Sequence, residues 1–232
     1  MDFEERDSPM QKSWRSTRIQ LLVMGWLLLA GCNGRAVGQE IFQANGDAWP
    51  VVPMSPARAD DAYAIYSLLT PQLFPETALQ HHPLWLIADT TLVVASDLED
   101  PRTAITPPPQ QRQAFAPVLQ DYAQHRYEHV HLDRNFHLDQ PYRLLDPPQA
   151  LALRAAILSA LAQQSGTLAP PFQGALGLVG FSNVYFNFEH TLAMVYVVNW
   201  CGPKCGQMRW IVLQKVNDGW SVLPWSTTPR TP

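Results

Sequence analysis

The stretch Leu176–Trp225, LGLVGFSNVYFNFEHTLAMVYVVNWCGPKCGQMRWIVLQKVNDGWSVLPW, reads as an antiparallel β-meander of four short strands. Turn signals at Asn187–His190, Gly202–Gly206 and Asn217-Asp218-Gly219 divide it, because Asn, Asp and Gly tolerate positive φ. Between Thr191 and Cys201, Leu192, Met194, Tyr196, Val198 and Trp200 alternate with Ala193, Val195 and Val197. A strand apolar on both faces is covered on both faces, so helices or the N-terminal strands are expected to pack against it. Tyr196, Trp200, Trp210 and Trp220 are expected to lie buried in or beside this sheet.

Upstream, Asp60–Leu69 fits a helix capped by Asp60, with Ala62, Ile65, Tyr66 and Leu69 on one face and Pro71 as its stop. Leu84–Ala88 is a buried strand by length and content, and Thr90–Ala95 extends it or pairs back on it. Leu98–Gln110 reads as a loop. Gln111–Tyr127 fits a second helix with Phe115, Val118, Leu119 and Tyr122 inward. Pro117 places its start near Phe115 or Ala116, since proline suits the first turn. Pro141–Leu145 is a short strand. Asp146 then caps a third helix, with Pro147 at its first position and Leu151, Leu153, Ala156, Ile157 and Leu161 as the expected buried stripe. Together these give an α+β domain: two or three helices packed on a mainly antiparallel sheet that ends in the C-terminal meander.

Composition sets limits. The chain has 232 residues, of which 47% are hydrophobic and 16% charged, enough for one domain with a sizeable core. Net charge is −4 and no basic block occurs, which disfavours a nucleic-acid partner.

The N-terminus reads as a targeting segment. Lys12, Arg15 and Arg18 precede a mostly apolar run, Ile19–Ala30, that is too short to span a bilayer, which takes about 20 residues. The run ends in Leu29-Ala30-Gly31-Cys32, a string that resembles the lipobox of bacterial lipoproteins. The resemblance implies cleavage before Cys32 and acylation of that cysteine, which anchors the chain to a membrane. An ordinary secretory signal or an uncleaved anchor is the other reading. Asp2, Glu4, Glu5 and Asp7 are unusual in a leader, and Met10 opens a cleaner one, so Met10 is a candidate start. Asn33 follows the cysteine; an Asp there tends to signal inner-membrane retention, so the outer membrane, facing the periplasm, is the expected address in a Gram-negative host. Residues 1–31 are thus the expected signal peptide, 32–57 a lipidated tether rich in Gly and Pro, and 58–232 a single globular domain.

The segments GLVGFSNVYFN (177–187), TLAMVYV (191–197), CGPKCG and VLQKVNDGWSV, with weaker matches in AYAIYSLL and PYRLLDPPQAL, resemble an uncharacterised family of small exported bacterial proteins. The resemblance covers about two-thirds of the mature chain and is strong over the last fifty residues or so. The family turn is often glycine-rich with Ser or Ala where this chain has Cys201 and Cys205. An aromatic-rich segment expected before the meander is replaced here by Gln163–Pro171. The resemblance implies a fold and no activity.

Few residues carry a chemical signal. Cys201 and Cys205 are spaced by three residues in a turn, unlike a thioredoxin motif, and an oxidising compartment favours a disulfide between them. A Cu(I) or Zn site using both thiolates with His190 or Met208, or a redox-active dithiol, are the alternatives. His125, His129, His131 and His137 cluster in sequence, and His81-His82 lie elsewhere. His125 and His129 stand at i, i+4 beside Glu128, a spacing that can bind Zn or Ni; a solvated histidine-rich loop is the plainer reading. Asp89, Asp97, Glu99 and Asp100 sit near a strand end, where an acid–base pair is conceivable. Gly180-Phe181-Ser182 is a strand pattern and not a nucleophile elbow, and no phosphate or dinucleotide loop is present. No cofactor is implied. The leading expectation is therefore a membrane-anchored envelope lipoprotein with a non-enzymatic binding or structural role, with an envelope protein as possible partner. A periplasmic Cu or Zn protein using Cys201, Cys205 and the histidines, and a hydrolase with an unrecognised site, are the competing readings.

Overall fold

The computed structural model describes residues 50–74, 83–94, 100–164, 168, 170–202 and 205–227. The leader, Cys32, the tether through residue 49, His81, His82, Asp97, Glu99, Pro203 and Lys204 lie outside them. In chain order the elements are β1 (Val51–Pro53), α1 (Pro56–Leu69), β2 (Leu84–Ala88), α2 (Pro101–Ala104), α3 (Arg112–His125), β3 (His129–His131), β4 (Tyr142–Leu145) and α4 (Pro147–Ala162). The meander follows as β5 (Ala175–Phe181), β6 (Tyr185–Phe186), β7 (Leu192–Gly202), β8 (Cys205–Val216) and β9 (Gly219–Val222). No helix among the described residues is long and apolar enough to cross a membrane.

Seven strands form one sheet in the order β4-β2-β5-β7-β8-β9, with β6 also on β7. β2 runs parallel to β4 and β5, and every other pair in this sheet is antiparallel. This is the expected α+β fold with a mainly antiparallel sheet. β5 and β6 are two halves of one meander strand, because both pair with β7. The break between them is pinned by Ser182, whose Oγ accepts from the Tyr196 N–H (2.8 Å) and donates to the Asn183 carbonyl (2.7 Å). β7 and β8 are not short: they span 11 and 12 residues. The last hairpin turns on Asn217 and Asp218, both at positive φ (49° and 64°), the conformation that lets a two-residue turn match strand twist.

Alternation along β7 sends its two residue sets into different cores. Ala193, Val195 and Val197 face α1, together with Phe181, Ile211 and Leu213. Met194, Tyr196 and Val198 face α3 with Trp210 and Val212, and Trp200 faces α4 with Leu86 and Leu178. The sheet is therefore covered on both faces by helices. Tyr196, Trp200, Trp210 and Trp220 are all buried, as the pattern implied.

The helices differ from expectation in four places. α1 starts at Pro56, not at Asp60; the proline takes the first position and Asp60 lies inside the helix, exposed. β1 and the first two residues of α1 precede residue 58 in the chain. α3 starts at Arg112 after a 3-10 turn, which puts Pro117 inside it. The carbonyl that Pro117 leaves without a helical donor belongs to exposed Gln113, where water can serve it. In α4, Asp146 caps the helix as predicted, through a capping box with Gln149, but Leu151 and Leu161 point outward, 47% and 55% exposed. The buried stripe is Ala150, Leu153, Arg154 and Ile157, with the Arg154 guanidinium 5.1 Å from the Trp200 ring centre. A helix apolar on all sides gives periodicity nothing to select. Within Leu98–Gln110, Pro101–Ala104 is a short helix capped by Asp100, and Thr90 and Leu92 make only isolated bridges, to His131 and Ser182.

Asp61 joins α1 to the far edge of the sheet. It accepts hydrogen bonds from Lys215 Nζ (2.7 Å), Trp220 Nε1 (3.0 Å) and His190 Nδ1 (3.3 Å). Burial works against its ionisation, but the Lys215, Trp220 and His190 donors outweigh burial and hold its carboxyl below the usual range.

Candidate functional site

Two short elements make the walls of a polar cleft. β1 pairs in parallel with β3, Val51 to His129 and Pro53 to His131. This small two-stranded sheet lies outside the main one and sets β1 and the first turn of α1 opposite the C-terminal end of α3. The cleft between them has a volume of about 220 Å³. Its floor is apolar: Val52, Met54, Ala62, Val130 and Val184, with the Tyr66 ring. Arg58, His125 and Glu128 line its mouth.

These charged groups form one chain. Arg58 is paired with Asp121, 63 positions away. Asp121 also accepts from the Phe186 N–H at 2.9 Å and faces His125 Nε2 at 3.5 Å. The other ring nitrogen, His125 Nδ1, lies 3.0 Å from Glu128. The i, i+4 spacing of Asp121 and His125 brings them together on α3, and the turn after α3 returns Glu128. Asn183 fixes that turn: its amide donates to the carbonyls of His125 (3.3 Å) and Glu128 (3.1 Å), and its oxygen accepts from Thr91 Oγ1 (2.8 Å). Tyr66, at the back, is fully buried; burial pushes its phenol far above the usual value, and its OH donates to the Ser182 carbonyl. A buried, neutral tyrosine used as a donor is a scaffold group.

Arg58 and Phe186 also line a second, smaller groove of about 170 Å³ that includes Asp121. Gln120, Gln124, Phe188 and His190 line it. His190 stacks on Phe186, ring centres 4.5 Å apart and planes 14° from parallel, and the Arg58 guanidinium carbon lies 5.7 Å from the centre of the Phe186 ring.

The residues singled out from sequence scatter. Cys201 and Cys205 are disulfide-bonded, with Cα atoms 5.1 Å apart, at the end of the β7–β8 hairpin. His190 precedes the other end of β7, roughly 30 Å away at strand rise, and Met208 is buried under the sheet. The sulfurs are joined to each other, so the Cys201–Cys205 metal set has lost its thiolates. Of the three histidine candidates, His125 alone lines the cleft. His129 is buried, with Nδ1 held 2.6 Å from the Thr91 carbonyl, and His131 is exposed. Among the described residues no three His, Cys, Asp or Glu side chains gather as a metal requires. Asp100 is a structural cap: the Arg102 side chain holds its carboxyl below the usual range. Ser182 is buried within the sheet. Sequence reading missed Arg58, Asp121 and Asn183 as site residues. Only the Asp121–His125 spacing could have pointed to the cleft.

The disulfide is expected to staple the hairpin. A Cys201→Ser/Cys205→Ser double variant should fold and lose about 2 kcal/mol, the loop-entropy value for so short a ring. Urea unfolding measures it, and an unchanged midpoint would show that the bond restrains nothing. Comparison with protein-family models, with curated proteins and with solved structures finds no match.

Proposed function

We propose that this chain is a lipid-anchored lipoprotein of the bacterial cell envelope whose domain binds a ligand or a partner protein and does not catalyse a reaction. The address rests on the LAGC string behind a basic flank and an apolar run, and Asn33 favours the outer membrane, facing the periplasm. Residues 33–49 could hold the domain at most about 60 Å from the bilayer. The chain of residues 33–49 leads directly into β1, so the cleft wall is the first part of the domain beyond the anchor.

One observation carries the binding reading. A histidine that activates a nucleophile keeps one ring nitrogen on an orienting carboxylate and the other on the nucleophile. In His125 both nitrogens face carboxylates, Glu128 and Asp121. Among the described residues, no hydrogen bond or ion pair joins either nitrogen to a hydroxyl or a thiol. The paired charges above an apolar floor suit recognition of a small polar group on an apolar body.

The test has two arms. Cys32→Ser should leave an unprocessed precursor that takes up no palmitate in metabolic labelling; undiminished labelling would overturn the anchor. Solubilised envelope is then passed over the native lipidated chain and over a Glu128→Lys variant. A component retained by the first and lost by the second supports the cleft as the binding face. Equal retention places binding elsewhere.

A further inference from the structure

Phe188 is 76% exposed, the most exposed of the large hydrophobic side chains described. A single exposed ring is ordinary, but this one stands on a fixed platform and lines the smaller groove. The Asn187 side-chain oxygen accepts from the N–H groups of Thr191 and Leu192, both at 2.9 Å, and the His190 N–H donates to the Asn187 carbonyl at 3.1 Å. His190 takes positive φ, 52°, to close this turn. The turn therefore holds Phe188 in place without burying it.

The charges along the groove are already used. Arg58 is paired with Asp121, and His190 with Asp61. An ionic ligand would find no uncompensated partner and would have to break one of these pairs. What remains to offer is an aromatic face and two exposed amides, Gln120 and Gln124, one turn apart on α3. We propose that this groove binds a neutral saccharide, one pyranose ring lying on Phe188 with its hydroxyl or acetamido groups on the two glutamines.

The chemistry fits on each side. The face of an aromatic ring carries partial negative charge, which attracts the polarised C–H bonds on the flat face of a pyranose. Primary amides both donate and accept, so they match hydroxyl and acetamido groups without any charge. The groove, at about 170 Å³, is small and has room for about one ring, with the rest of a glycan in solvent. This inference goes beyond the proposed function, which puts binding at the cleft lined by His125 and Glu128: it adds a second site in the neighbouring groove and depends neither on that cleft nor on the anchor, so palmitate labelling at Cys32, retention lost with Glu128→Lys and saccharide binding stand or fall separately.

Isothermal titration of the full chain in detergent micelles with the β-1,4-linked N-acetylglucosamine tetramer and with cellotetraose tests it. Saturable binding of at least one probe is expected, and a preference for the first shows that the acetamido group is read. Phe188→Ala should weaken binding at least about tenfold with an unchanged melting temperature, because the ring is exposed. Gln120→Ala/Gln124→Ala should weaken it independently, and Phe188→Trp should retain it. Absence of binding to both probes overturns the proposal, and so does binding that Phe188→Ala leaves intact.

Discussion

Replacing Trp210 with alanine is expected to cost about 3–5 kcal/mol. The side chain is fully buried. Its ring meets Tyr196 at 5.1 Å, Tyr122 at 5.7 Å and Tyr185 at 6.2 Å between centres. It thus joins β8 to β7, to β6 and to α3 at once, and truncation leaves a cavity that three rigid rings cannot collapse into. Domains of this size are stable by about 5–15 kcal/mol, so the variant should sit near the edge of folding. Urea unfolding followed by far-UV circular dichroism reads the loss. Trp210→Phe should fall between the two. A loss under about 1 kcal/mol for alanine would mean that the ring contributes nothing to the core.

Gly177→Ala is expected to cost about 3 kcal/mol, through collision rather than cavity. A Cβ on Gly177 would stand 2.5 Å from the Trp200 carbonyl oxygen and 3.1 Å from the Cys201 Cβ. The obstacle is backbone of the neighbouring strand, which cannot swing aside as a side-chain tip could. β5 would have to separate from β7 where the two begin to pair. Gly219→Ala is the matching control: a Cβ there would meet only the Val216 carbonyl oxygen at 3.7 Å, an ordinary contact. The two unfolding midpoints should differ clearly. If they coincide, the β5–β7 approach is looser than its geometry indicates.

The meander was legible because its signals are local. The two-faced alternation of Leu192–Trp200 and the Asn217-Asp218 turn are written in adjacent residues, and so is the Asp146 cap. α4 was misread for the opposite reason, since leucine and alanine occur on every side of it and the choice of Arg154 as an inward residue is made by Trp200. Pro117 misled because a proline is tolerated inside a helix wherever the carbonyl it abandons faces water. The cleft was mostly invisible. Asp121 and His125 are one turn apart and could be paired by eye, but Arg58 and Asn183 reach them from 63 and 58 positions away. Their meeting depends on β1 lying beside β3, and a three-residue strand leaves almost no pattern.

The bonds that close this domain join residues far apart in the chain. Trp220 donates to Asp61 across 159 positions, Asn199 to the Leu73 carbonyl across 126, and Tyr66 to the Ser182 carbonyl across 116. The core that α1 packs into is therefore complete only once the meander has formed, since Phe181, Val195, Ile211 and Trp220 all come from it, and β2 has no partner on its β5 side until the meander has started. Such a topology must close large loops before long-range contacts repay the lost entropy. Its folding is expected to be slow, in the roughly millisecond-to-second range of non-local β proteins, with α1 docking late; stopped-flow refolding followed by tryptophan fluorescence checks this. While it waits, Tyr63, Ile65, Tyr66 and Leu69 are sticky, and a chaperone that shields this one helix would do the most to keep the immature chain from aggregating.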